Sequence, residues 1–244
     1  MASHKYWFET WFNTHYYDAL YQHRDENEAA QFIDRLITYL QPEQAATILD
    51  VACGKGRHAK YLADKGFTVT GIDLSYKNIR EAMSYENEKI SFFQHDMQNI
   101  FRINYFDCIF NFFTSFGYFV NKKDNLQSIR SFAGGLKPGG FLVIDFFNVN
   151  HVLDHLVEDE SKTIDAIQFN ITKSFEDGFI VKKIEIAEGD KREIFYEKVR
   201  AITKQEFENY FDACNLKVKQ IFGDYKLNTF NSASSERLIL IAQK

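Results

Sequence analysis

Residues 48–62 read ILDVACGKGRHAKYL, and this stretch decides the fold. Ile48, Leu49 and Val51 form a short apolar run of the kind that makes a buried strand. The small residues Ala52, Cys53, Gly54 and Gly56 follow. A helix pattern then runs from Arg57 to Lys65, and Gly66 is placed to end it. A strand, a glycine-bearing loop and a helix in succession make a cradle for a nucleotide-like ligand, because the helix start offers unpaired N–H groups. Gly54-x-Gly56-x-x-Ala59 also fits the dinucleotide pattern G-x-G-x-x-A. The loop by itself does not say which ligand it holds.

The alternation continues outward from this stretch. Residues 28–40 place Phe32, Ile33, Leu36, Ile37 and Leu40 on one helix face, and Pro42 stops that helix. FTVTGIDLS (67–75) reads as a second strand, with Ser75 ready to cap the next helix. ISFFQHDMQN (90–99), YFDCIFNFF (105–113) and FLVIDFF (141–147) supply three more strands, with a helix over 123–134 and the turn LKPGG (136–140) before the last. Strands alternating with helices specify an α/β fold, a parallel sheet with helices on both faces. After Asn150 the pattern changes. Residues 167–203 alternate apolar and polar side chains, with turns at Glu176-Asp177-Gly178 and Glu188-Gly189-Asp190, and read as three antiparallel strands inserted in the chain. KQEFENYFDACN (204–215) is a helix with Thr203 as cap and Glu206 at the capping-box position. Two strands, in 216–225 and 237–244, close the main sheet at one edge.

Ligands of such sheets lie at the carboxyl ends of the strands. Asp50 ends the first strand, four residues before Gly54. A carboxylate there repels a pyrophosphate and attracts an ammonium. S-adenosylmethionine carries an ammonium, a carboxylate, a sulfonium, a ribose diol and an adenine, and no phosphate. Asp73, at the end of the second strand, suits the ribose hydroxyls, although a dinucleotide enzyme would use the same residue. Asp96 can accept from the adenine amino group with Met97 on the ring, and Asn111 can meet the methionine portion.

The segments ILDVACGKGRHAKYLADKGFTVTGIDLS, FFQHDMQ, FDCIFNFFTSFGYF and LKPGGFLVIDF resemble the successive motifs of the class I S-adenosylmethionine-dependent methyltransferases. The resemblance implies a seven-stranded, mostly parallel, Rossmann-like sheet whose last strand is antiparallel. It implies cofactor roles for Asp50, Ala52, Gly54, Gly56, Asp73, Leu74, Asp96, Met97 and Asn111. SFGYF (115–119) and the β insertion are similar to the small-molecule branch that includes sugar N,N-dimethyltransferases. The whole chain, 1–244, is then one methyltransferase domain. It comprises an N-terminal helical lid (1–40), a cofactor-binding core (41–150), an antiparallel insertion (163–203) and a closing helix and strand pair (204–244).

Composition narrows the field further. The net charge of −5 argues against a broad nucleic-acid surface, which needs clustered Lys and Arg. Three scattered cysteines give neither a disulfide framework nor a zinc knuckle. No secretory signal and no transmembrane run is visible, so a soluble cytoplasmic enzyme with a small-molecule acceptor is expected. His151 and His155 lack the third ligand or the glutamate that a metal site needs, so no metal is expected.

The aromatic segment before residue 25 reads either as a lid or as a helix packed on the sheet. In the first case Tyr17 and Tyr21 reach the sulfonium end or the acceptor, and Arg24 pairs with the cofactor carboxylate. In the second, Arg24 points to solvent. Tyr17 and His151 are the candidate catalytic groups, with an exposed loop histidine the preferred alternative for His151. Three other functions compete. They are methyl transfer to RNA or protein, an NAD-dependent oxidoreductase, which Asp50 and the absence of a Tyr-x-x-x-Lys pair disfavour, and a non-catalytic cofactor-binding module.

Overall fold

The structure is a computed structural model that describes residues 7–21, 26–157 and 159–244. Two short helices, α1 (Trp7–Trp11) and α2 (His15–Tyr21), precede the longer α3 (Glu26–Leu40). The core then runs β1 (Thr47–Val51), α4 (Arg57–Asp64), β2 (Thr68–Asp73), α5 (Tyr76–Ala82), β3 (Ile90–Gln94), β4 (Phe106–Asn111), α6 (Lys122–Gly135) and β5 (Leu136–Phe147). The short α7 (Val149–Asp154) leads to β6 (Asp159–Ile164), β7 (Ile167–Glu176), β8 (Phe179–Glu188) and β9 (Lys191–Arg200). The chain ends with α8 (Lys204–Asp212), β10 (Lys217–Phe222) and β11 (Arg237–Gln243).

The main sheet has seven strands in the order β10-β11-β5-β4-β1-β2-β3. β1 to β5 pair in parallel, while β11 runs antiparallel to both β5 and β10. The expected α/β class and closing strand pair are what the chain forms. β1 lies between β4 and β2, so neighbours and helices cover both its faces, and its side chains are apolar almost throughout. Successive side chains take opposite faces. Ile48, Val69, Cys108 and Phe110 pack with Phe32 and Leu36 of α3 on one face. Leu49, Ile109 and Ile144 pack with Phe132 of α6 and Phe207 and Phe211 of α8 on the other.

Local signals set the helix starts. The Ser75 side chain accepts from the Asn78 N–H, and Thr203 and Glu206 form the reciprocal capping box. The expected LKPGG turn is absorbed into β5, which pairs with β4 from Leu136 onward through an irregular register.

The insertion has four antiparallel strands, in the order β6-β7-β8-β9, where three were expected. The added strand, DESKTI, is mostly exposed and lies at the sheet edge, so it lacks the apolar alternation that marks the other three. Ile167, Phe169, Ile171, Ile184 and Ile186 on one face of this sheet bury Trp11, Tyr16 and Leu20. The N-terminal aromatic segment therefore packs on the insertion.

One ring links the glycine loop to the sheet. A Cβ at Gly71 would lie 2.5 Å from the Phe92 ring and 2.9 Å from Cys53 Sγ, and a Cβ at Gly56 would lie 2.6 Å from the same ring. Gly71→Ala should therefore lower the unfolding free energy by about 1–3 kcal/mol through overpacking. Phe92→Leu in the same chain should recover part of that loss. Urea denaturation of the three variants checks this, and an unchanged midpoint for Gly71→Ala would contradict it.

Candidate active site

The chain turns sharply after β1. Ala52, Gly54 and Gly56 all have positive φ, of 57°, 56° and 81°. The Asp73 carboxylate holds this turn from the next strand. Its Oδ2 accepts the Gly54 N–H at 2.9 Å and its Oδ1 accepts the Ser75 N–H at 2.7 Å, so one side chain ties the glycine loop to the start of α5. Burial raises the Asp73 pKa, and the N–H groups of Ser75 and Gly54 and the Asn78 side chain oppose that rise.

Asp50 is in a different situation. It is 2% exposed, and its Oδ2 has no hydrogen-bond partner among the described residues. Burial, and then the Asp73 charge, push its carboxyl up to about 7, against the Ala59 N–H and Arg57. A buried carboxylate oxygen without a donor is costly unless a ligand supplies one.

The cavity floor follows β4. Phe113 and Thr114 both occupy the left-handed region, with φ of 56° and 60°. Asp145 near the end of β5 holds them there. Its Oδ2 accepts the Phe113 N–H at 2.8 Å, and its backbone oxygen accepts the Thr114 N–H at 3.1 Å. Arg237 on β11 donates from Nε and Nη2 to Asp145 Oδ1 at 2.9 and 2.7 Å, and from Nη2 to Thr114 Oγ1 at 3.0 Å. The Tyr225 hydroxyl adds a donor at 3.1 Å, and burial pushes that phenol well above its usual range.

α1 and α2 cover the opening from two sides. Asp18 pairs with Lys55 of the glycine loop at 3.0 Å, and Lys55 also meets Glu81 at 3.0 Å. The Ser75 hydroxyl donates to Asn13 Oδ1 at 2.5 Å. On the other side, Trp11 Nε1 and the Tyr21 hydroxyl donate to Glu197 of β9, and the Tyr16 hydroxyl donates to Glu188 of β8.

These elements enclose a cavity of about 550 Å³. Tyr17, Tyr21, Asp50, Ala52, Gly54, Asp73, Leu74, Asp96 and Met97 all line it, so most residues singled out in the sequence come together. Three do not. Gly56 turns toward Phe92 and Ala82, so its lack of a side chain serves core packing. Asn111 lies behind the wall, where its amide donates to the Val51 carbonyl at 3.1 Å and braces the end of β1. His151 sits on α7, stacked on His155 at 4.2 Å and outside the cavity lining, because α7 leads away toward the insertion. Arg24 lies outside the described residues.

The sequence reading missed Trp7, Phe12, Thr114 and Glu197 of the lining. Glu197 left one signal: it breaks the apolar series Phe195, Glu197, Val199 on the inward face of β9. Among the described residues, no group of three or more His, Cys, Asp or Glu side chains is arranged to hold a metal ion. No helix among them is long and apolar enough to cross a membrane.

Comparison with known proteins bears on the family. Residues 48–140 match the family described as "Methyltransferase domain". A Bacillus subtilis (strain 168) protein named "Putative methyltransferase YqeM" is 31% identical over 242 residues, covering 93% of this chain and 94% of that protein. The dTDP-3-amino-3,4,6-trideoxy-alpha-D-glucopyranose N,N-dimethyltransferase of Streptomyces venezuelae is 26% identical, covering 85% of this chain and 91% of that one. A solved S-adenosylmethionine-dependent methyltransferase from Clostridium acetobutylicum ATCC 824 shares the fold, with a TM-score of 0.78 at 23% identity. It covers 94% of this chain and 96% of its own.

Asp50 makes stability depend on pH in a calculable direction. The native state keeps its proton up to about pH 7, whereas an unfolded aspartate releases it near pH 4. The native state binds more protons across that window, so stability falls as pH rises through it and stays reduced above. Asp50→Asn removes this slope. Ligand-free Asp50→Asn should gain stability over the parent on going from pH 4 to pH 8, by on the order of 2–4 kcal/mol. Thermal melts across pH check this, and parallel pH curves for the two proteins would refute it.

Proposed function

We propose, for a chain that belongs to the S-adenosylmethionine-dependent methyltransferases, in-line methyl transfer to the nitrogen of a small-molecule amine. Asp50 carries the reading, because an unpartnered buried carboxylate beside the glycine loop suits a cationic ligand group and opposes a phosphate. The residues fit the cofactor in a consistent order. Asp50 takes the ammonium, Asp73 the ribose hydroxyls, and Asp96 the adenine amino group with Met97 on the ring. The Asp96 carboxylate is already oriented, since its Oδ1 accepts the Gln98 N–H at 2.9 Å.

S-adenosylmethionine supplies a methyl group that is electrophilic because it sits on a sulfonium. The protein's task is then to align the acceptor and exclude water. The aromatic wall of Trp7, Phe12, Tyr17 and Tyr118 does both. A neutral amine already presents its lone pair, so the reaction needs no strong base, in keeping with His151 lying outside the cavity. The cavity volume is in the range of small-molecule sites. Support for nitrogen as acceptor comes from the relative whose name specifies N,N-dimethylation of an amino sugar.

S-adenosylhomocysteine should bind with a dissociation constant in the micromolar range, about −8 kcal/mol, and NADH should not bind. Near pH 7 that binding should release a proton from Asp50, seen as a calorimetric enthalpy that changes with buffer and no longer does so in Asp50→Asn. Asp73→Ala should weaken affinity by roughly tenfold to a hundredfold, about 1.4–2.8 kcal/mol. With S-adenosylmethionine and pooled small amines, S-adenosylhomocysteine should accumulate. Turnover confined to RNA or protein would transfer the acceptor to a macromolecule and overturn the reading.

A further inference from the structure

Glu197 is the one acid that the insertion contributes to the described cavity wall. Several groups hold it firmly. Trp11 Nε1 donates to Oε1 at 2.7 Å, and the Tyr21 hydroxyl lies 2.8 and 2.9 Å from Oε1 and Oε2. Lys182, its register partner on β8, puts Nζ 3.6 Å from Oε2 and donates to the Tyr21 hydroxyl at 2.5 Å. Burial pulls the Lys182 ammonium below its usual range, and Glu197 opposes that. The Glu197 side chain is only 15% exposed.

Packing does not require this cluster. The apolar contacts of Trp11, Tyr16 and Leu20 with five side chains of β7 and β8 already join α1 and α2 to the insertion. Replacing a buried ion pair by apolar groups of similar volume is often neutral or stabilising. The arrangement makes sense as a pre-oriented hydrogen-bond acceptor. One phenolic proton is shared between two carboxylate oxygens, and the ammonium lies beyond hydrogen-bond length of Oε2, so Oε2 keeps accepting capacity. Lys182 already balances the charge, so a second cation gains little there, whereas an O–H donor gains a charge-assisted hydrogen bond. A complementary group sits in the same wall. Trp7 Nε1 is buried and has no hydrogen-bond partner among the described residues, a state that costs about 1–3 kcal/mol until an oxygen reaches it.

We propose that Glu197 and Trp7 form the acceptor subsite, and that the acceptor is a hydroxylated amine whose O–H donates to Glu197 and whose oxygen accepts from Trp7. The inference rests on the small-amine reading above and adds what the amine must carry. Tyr21 and Trp11 act as positioning residues by aiming the carboxylate, and the amine nitrogen stays free for the methyl group.

Both tryptophans of the chain, Trp7 and Trp11, lie in α1, so indole emission reports on this wall directly. The test uses the full chain loaded with S-adenosylhomocysteine and titrated with a matched pair, an aminocyclohexanediol and cyclohexylamine. The diol should bind at least about tenfold more tightly, since a site built to hydrogen-bond a hydroxyl discriminates against its absence. Glu197→Gln should erase that preference in a protein that stays folded and still binds S-adenosylhomocysteine. Trp7→Phe, which keeps an aromatic ring and removes the N–H, should reduce diol affinity with Trp11 as the remaining fluorophore. Equal affinity for the two amines, no saturable diol binding, or full diol affinity in both variants would overturn the subsite. Equal methylation of both amines would overturn it while leaving the small-amine function intact. Methylation of RNA or protein alone would remove that function as well.

Discussion

Two buried carboxylates at the carboxyl end of one sheet have opposite fates, and the site depends on the contrast. Asp145 is fully buried, yet the Arg237 guanidinium, the Phe113 N–H and the Tyr225 hydroxyl meet its oxygens. Asp50, two strands away, has one oxygen that nothing in the described protein meets. The paired carboxylate holds two consecutive left-handed residues, each costing roughly 1–2 kcal/mol in a side-chain-bearing residue. Removing one partner of a buried pair typically costs about 3–5 kcal/mol, comparable to the roughly 2–4 kcal/mol of strain in the two residues together, so the pair offsets the strain of the turn. The unpaired carboxylate stores the opposite kind of energy. It weakens the empty protein, and on the proposed reading it strengthens the filled one.

The division between what the sequence showed and what it hid follows contact distance along the chain. Strands β1 to β5 were legible because a buried strand must be apolar and a helix start must be capped, and both are local demands. The caps at Ser75 and Thr203 satisfy their own helices within three residues. β6 escaped because an exposed edge strand has no apolar face to show. Gly56 was assigned to the ligand because a glycine looks the same whether a cofactor or a ring occupies the space beside it. The ring is Phe92, thirty-six positions away. Asn111 sits at the expected strand end but turns toward a neighbouring strand carbonyl, a choice made by packing. Glu197 reaches Trp11 across 186 positions, beyond any pattern of spacing.

The two sides of the cavity have different chemical characters. Around the glycine loop, the cavity wall presents carboxylates and backbone N–H groups, fixed by adjoining strands of a rigid sheet. Beyond it, Tyr118 meets Trp7 edge to face and Phe8 and Phe12 at tilted angles, with centroids 5.3–5.8 Å apart. Such a wall presents broad apolar faces and few polar atoms, so the polar atoms it does present determine what fits.

The helix α2 is fastened at both ends of this arrangement, through Asp18 to Lys55 of the glycine loop and through Tyr21 to Glu197 of the insertion. Two ligands that each order the same short helix are thermodynamically linked. On the proposed reading, each ligand favours this placement of α2, so the first to bind holds the helix in place for the second. By reciprocity the gain is equal in both directions. Cofactor and acceptor should therefore show positive heterotropic cooperativity, a property of the ternary complex that neither half-site has alone.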